Sequence, residues 1–252
     1  MVDEAVLPDF ETIYATDLVY APGCWQLCGD AHCCTFSRYK SQMRILGHRH
    51  KQELPLLPGE SEYMKRRGIM GDFRDAQCMS VDYPLAGGKM KLEFLVGGTN
   101  ACACKHDTRT TVCRLYPLLP MFDIEGKLTG VDADFGIYEE IENIDGMERG
   151  CKITNVPFSE MNKLLAIAGA IGRSPKAVFY TMAYRLAKGH AREQLKKAKA
   201  AQKPDRPRMS TLALFEGMFL LRQLLDQSVL RPQLEALAEE FRERHGPRFS
   251  LD

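Results

Sequence analysis

No stretch of eighteen or more apolar residues occurs in this chain, so no membrane-spanning helix is expected. Its start, MVDEAVLPDF, lacks a basic region followed by an apolar one, so the reading expects no secretory signal and takes the cytoplasm as the default compartment. An excess of one charge is missing too: 34 Lys and Arg face 33 Asp and Glu, a net charge of +1. That balance gives no electrostatic reason to expect nucleic acid or an acidic membrane as a partner. No internal repeat is present. Tryptophan occurs once, and cysteine is absent from the last hundred residues.

What the chain does have is nine cysteines, at positions 24, 28, 33, 34, 78, 102, 104, 113 and 151. In a reducing compartment, clustered cysteines more often hold metal than form structural disulfides. An odd count leaves one thiol over in any all-disulfide scheme, and a bond between the neighbours Cys33 and Cys34 would close a strained ring. The composition shift after Cys151 divides the chain into an expected cysteine-rich, metal-binding part, residues 1–155, and a helical part, residues 156–252. The fold class expected is α+β, mostly α, with short strands in an irregular, metal-stapled first part packed on the helices of the second.

Local punctuation supports this division. PLLPGESEYMKRRG predicts a helix begun after Pro58 and ended by Gly68, acidic early and basic late as the helix dipole prefers. KMKLEFLVGG alternates into a strand, and MFDIEGKLTGVDADFGIYEEIENI places a hairpin about Glu125-Gly126. Beyond residue 156, PFSEMNKLLAIAGAIG starts a helix at Ser159 as cap with Phe158 as staple, closing at Gly172. A second helix takes Ser174 as cap and Pro175 at its first position, and KPDRPR breaks the pattern. A third buries positions 214, 215, 218, 221 and 225, and a fourth begins at RPQ and ends at HG. The basic run KGHAREQLKKAKAAQKPDRPR has no interleaved aromatics and reads as a solvated helix face rather than a nucleic-acid footprint. Met161, Met182, Met209 and Met218 read as gap-fillers in the core.

Chemistry concentrates in CWQLCGDAHCC, residues 24–34, and CACKHDTRTTVCRLYP, residues 102–117. Closely spaced cysteines let several thiolates converge on one centre, as zinc and iron–sulfur sites require. Successive side chains of extended backbone point to opposite sides, so Cys33 and Cys34 fit two adjacent centres, one each, or two atoms of one polynuclear assembly. Four cysteines complete one site; nine supply two and leave one spare, for which the isolated Cys78 is the candidate. Arg109 and Arg114 flank Cys113, where positive charge would offset thiolate charge at a bound cofactor; ordinary ion pairs are the other reading. His32, His48, His50 and His106 lie among the cysteines, but spacing alone assigns them no role. The glycine pairs 87–88 and 97–98 read as turns, not as a nucleotide loop.

The order C-x3-C-x4-CC, then Cys78, then C-x-C-x8-CRLYP, then Cys151 resembles the YkgJ-like cysteine-cluster family, described as zinc- or iron-chelating. That family's pattern is C-x2-C-x2-CC, single cysteines, then C-x-I-Y-x2-R-P-x2-C-R-x-Y-P. Arg109 matches the motif arginine, and Cys113, Arg114, Tyr116 and Pro117 match its end. The first two spacings are longer here, Lys105-His106 stands near the expected Ile-Tyr, and Thr110 replaces the proline. The resemblance covers roughly residues 24–151 and implies metal binding, iron–sulfur before zinc, with one or two 4Fe-4S clusters. It carries with it two uses: electron transfer, or assistance to a modification reaction. Related flagellin lysine N-methylases use S-adenosylmethionine, for which this chain has no motif. A structural zinc adaptor and an S-adenosylmethionine-dependent N-methyltransferase-like enzyme are the standing alternatives. Whether the chain is an enzyme, its redox or protein partner, and its oligomeric state stay open.

Overall fold

The computed structural model describes residues 6–20, 52–73, 75–97, 106–133, 135–146, 156–203, 208–221 and 223–251. Helix α1, Phe10–Ala15, starts because Asp9 accepts the Thr12 N–H at 3.1 Å, the bond an N-cap supplies to an orphan donor. A three-stranded antiparallel sheet follows, made of β1 (Gln52–Leu56), β2 (Gln77–Leu85) and β3 (Gly88–Gly97) in the order β1-β3-β2. Its centre is β3, whose Phe94, Leu95 and Val96 are buried. Gln52 pairs with Gly97 at one end of the sheet, and Cys78 sits opposite Leu95. The β2–β3 turn runs through Ala86 and Gly87, and Gly87 takes the positive φ that two-residue hairpins need.

Helix α2, Glu60–Arg66, lies between β1 and β2 in the chain, where a helix is expected. A short helix α3, Thr111–Leu115, then leads into a hairpin of β4 (Leu119–Phe122) and β5 (Leu128–Asp132). Gly126 lies at the tip with φ 79°; a Cβ there would stand 2.0 Å from the Gly172 carbonyl oxygen, so this tip requires glycine.

Five further helices complete the described chain: α4 (Ile137–Asp145), α5 (Phe158–Gly172), α6 (Pro175–Ala200), α7 (Thr211–Leu220) and α8 (Gln227–His245). The α+β, mostly helical class is what the structure has; metal staples are not among its described features. One core takes residues from both sides of residue 155: Ile13, Leu18, Tyr63 and Leu115 pack with Leu164, Ile167, Phe179 and Phe241. Its middle is a trio of rings, Phe179, Phe241 and Phe249, with centroids 5.3 to 5.6 Å apart. Among the described residues no helix is long and apolar enough to cross a membrane.

Several local expectations are corrected. Helix α5 is capped by Pro157, not Ser159, and Phe158 is 81% exposed, so it is no staple. Helix α6 does start at Ser174, whose hydroxyl accepts the Ala177 N–H, with Pro175 next. Helix α7 stops at Leu220, which leaves Leu221 and Leu225 exposed rather than on a buried face; Phe215 alone of the five expected positions is fully buried. Helix α8 starts at Gln227 under an Asp226 cap, so Pro232 falls inside it rather than at its start. Met209 is exposed, not a gap-filler. The basic run is only partly solvated: Lys188 is buried against Asp132 at 2.7 Å, and Lys199 bonds Asp145 and the Ile144 carbonyl.

Candidate metal-centre frame around Cys113

Cys113 lies in α3, and chain positions next to two of the main cysteine stretches reach this helix. Tyr20, next to 21–51, donates its hydroxyl to the Leu115 carbonyl at 3.0 Å. Helix α3 packs on β1, which begins at Gln52 on the other side of that stretch and pairs there with Gly97. A 3-10 turn, His106–Thr108, runs from 98–105 into α3. Cys24, Cys28, Cys33, Cys34, Cys102, Cys104 and Cys151 lie outside the described residues, as do His32, His48, His50 and the His106 side chain. The expectation of two centres divided between Cys33 and Cys34 lies there too.

A buried polar network fixes α3. Glu60, fully buried, accepts four hydrogen bonds: from the Tyr14 hydroxyl at 2.8 Å, the Thr111 N–H at 2.7 Å, the Thr111 hydroxyl at 2.8 Å and the Leu57 N–H at 2.9 Å. Burial pushes the Glu60 pKa up, against the pull of those donors. Burial, reinforced by the Glu60 charge, also holds Tyr14 protonated by raising its pKa. Sequence reasoning took Glu60 as a dipole-complementing residue of the first helical turn. Apart from Leu57, its partners lie 46 and 51 positions away, and no local pattern signals them.

Arg114, 1% exposed, spends its guanidinium on main chain. Nε donates to the Arg109 carbonyl at 3.1 Å, Nη1 to the Thr16 carbonyl at 2.9 Å, and Nη2 to the Asp107 carbonyl. The group also stacks 4.9 Å over the Tyr14 ring. Burial, and then the neighbouring Arg109 charge, lower its pKa. Arg114 thus ties the end of α1, the turn at 107–109 and α3 together.

Arg109 is placed differently. One Nη2 contact goes to the Leu18 carbonyl and another to Asp17 at 3.3 Å, while Nε is buried without a hydrogen-bond partner. The next residue, Thr110, is fully buried, and its hydroxyl has no partner either. Among the described residues these are the two buried side-chain polar atoms so left. Each such atom costs about 1–3 kcal/mol when nothing accepts its proton. Two such donors, on the stretch that leads into Cys113, are chemically suited to an anionic acceptor such as a thiolate-held group.

Cys78 has another setting. It lies on β2 with its sulfur 3.9 Å from the Met70 thioether, and burial raises its pKa although Lys65 pulls the other way. That environment favours the thiol over the thiolate a metal takes. Neither Cys78 nor Cys113 is in a disulfide. In the helical part, the His245 ring meets the Ile124 carbonyl at 2.8 Å and His190 lies 3.4 Å from the Gln194 amide. Among the described residues no group of three or more His, Cys, Asp or Glu could hold a metal ion; seven of the nine cysteines lie outside that set.

Comparison with protein-family models, with curated proteins and with solved structures gives no match. The resemblance to the cysteine-cluster family therefore rests on the spaced residues themselves.

Proposed function

We propose that the chain is a metal-cluster protein in which cysteines other than Cys78 hold one or two iron–sulfur clusters beside α3. The observation that carries this reading is that Tyr20, next to 21–51, bonds to α3 and that 106–108, next to 98–105, leads into it; those two stretches carry six further cysteines. The buried, unpartnered donors at Arg109 and Thr110 support it, because they lie on the stretch that leads into Cys113. Cys24, Cys28, Cys33, Cys34, Cys102, Cys104, Cys113 and Cys151 would be the ligands. Bound there, a cluster supplies one-electron redox chemistry.

The chain's own contribution is to hold the site still and to set its charge. Arg114 fixes the turn before α3 through three carbonyls, and Glu60 fixes the first turn of α3 through Thr111. Arg109 brings a largely buried positive charge that offsets thiolate charge and favours the more negative, reduced state. A role in electron transfer follows, with a redox partner, or in a modification reaction that draws on the cluster.

Anaerobic purification followed by iron, sulfide and zinc analysis tests the reading. Stoichiometric iron and sulfide, with visible absorption, is expected. Zinc without sulfide would make the protein a structural zinc adaptor instead. Unchanged metal content in both Cys28→Ala and Cys113→Ala would remove the ligand assignment altogether.

A further inference from the structure

Thr110 stands at the N-cap of α3, with extended φ −62° and ψ 163°, yet it makes no cap hydrogen bond. Threonine at this position ordinarily turns its oxygen to a first-turn N–H. Here that use is forgone, and the hydroxyl is left buried without any partner. The Glu60 carboxylate takes the Thr111 N–H, and with it part of a cap's usual work. Cys113 is the third residue of the helix. N-cap and third-residue side chains share one face of a helix start, which is why they pair in capping boxes. Thr110 and Cys113 therefore take the two positions whose side chains share one face of this helix start. A thiol is a weak acceptor; a metal-bound thiolate carries charge and accepts well.

Resting on the metal reading above, we infer that the Thr110 hydroxyl donates a hydrogen bond to the Cys113 thiolate when Cys113 ligates metal. Thr110 is then a tuning residue of the centre, not a helix cap. Arg109 Nε, idle one position earlier, is available for a second donation to the same centre.

Thr110→Val removes the hydroxyl at nearly constant shape, and Thr110→Ser restores it. Zinc(II) competition against a chromophoric chelator, and separately anaerobic loading with ferrous iron and sulfide, would be compared across wild type and both variants. Loss of one such outer hydrogen bond is expected to weaken metal binding about 10-fold in Thr110→Val, with Thr110→Ser close to wild type. Metal-free Thr110→Val should melt no lower than metal-free wild type, and up to about 3 °C higher, because only an unsatisfied group has gone. Where iron and sulfide load, its midpoint potential should move negative, since a donor to sulfur has been lost. Equal metal affinity in Thr110→Val and wild type overturns the inference and leaves the metal reading standing. A metal-free Thr110→Val that melts several degrees lower also overturns it, by showing that the hydroxyl serves the fold itself. Wild type that binds neither probe overturns the metal reading and this inference together.

Discussion

The region around α3 and the core of the helical part hold themselves together by opposite means. At α3, Glu60 and Arg114 are fully buried ionisable groups whose bonds run mostly to main chain. In the helical part, Phe179, Phe241 and Phe249 meet ring to ring and share one hydrophobic cluster with Leu164, Ile167 and Ala168. Apolar packing is non-directional, and it tolerates small shifts of its parts. A buried hydrogen-bond network is directional and costly when incomplete, so it fixes one backbone geometry. A metal site needs the second kind of support, because its ligands must converge within a few tenths of an ångström. The contrast also predicts where a bound ligand is felt: at α3, and not in the ring trio.

The sharpest way to break the comparison is to hollow out the apolar side. Phe179→Ala, or Phe241→Ala, should cost about 3–5 kcal/mol in urea unfolding, from lost transfer energy plus the cavity left behind. Metal content of the folded fraction should not change; a parallel loss would show that the two regions are coupled. Arg114→Met keeps the apolar stem of the side chain but removes the donors to the Arg109, Thr16 and Asp107 carbonyls, of which Thr16 keeps the Leu18 N–H. Its expected cost is about 3 kcal/mol, and here metal content should fall with stability, since the turn at 107–109 is released. Stability lost without any effect on metal would detach Arg114 from the site.

Glu60→Gln is a smaller change that tests the network's polarity. An amide presents two donors where the carboxylate had only acceptors, so one of four converging donors loses its partner, for about 2 kcal/mol. The wild-type pH dependence follows from the raised Glu60 pKa. A carboxyl raised on folding binds its proton more tightly when folded, so the stability it contributes is complete below the ordinary value of 4.5 and is lost as pH rises toward its raised value. Chemical denaturation from pH 4 upward should show that fall in wild type and a flatter profile in Glu60→Gln.

Asp9 gives the least effect and the opposite sign. The Thr12 main-chain and side-chain hydrogen bonds hold its pKa below 3.8. Asp9→Ala should cost about 1 kcal/mol as a lost N-cap. That difference from wild type should persist above pH 4 and vanish as pH falls through the depressed value. A difference that grew toward acid would rule out the cap as its source.

Strands and helices were not equally legible. Helix α2 and the β4–β5 hairpin carry their own punctuation, Gly59 and Gly68 at the ends of one and Gly126 in the turn of the other. Strands β1 and β2 left no mark. Both are edge strands of one sheet, β1 carries Pro55, and β2 is mostly exposed along its length, so neither shows the alternation a buried face imposes. Helix α7 misled for a different reason. Its apolar periodicity continues past Leu220, but the helix does not, and the tail of the pattern ends in solvent.

Residue types and spacing by themselves determined that the cysteines of this chain crowd into its first 151 residues and that helices follow them. Nine cysteines in clusters are a local chemical fact, and caps and glycines act within a few positions of where they stand. Only the tertiary structure decided that Arg114 serves main chain while Arg109 and Thr110 keep donors in reserve, and that Cys78 sits beside a thioether. Those assignments depend on which distant carbonyls and carboxylates reach each group, from Thr16 to Arg114 and from Glu60 to Thr111. A hydrogen bond acts over about 3 Å of space, whatever the separation along the chain, and only folding brings such partners within that distance.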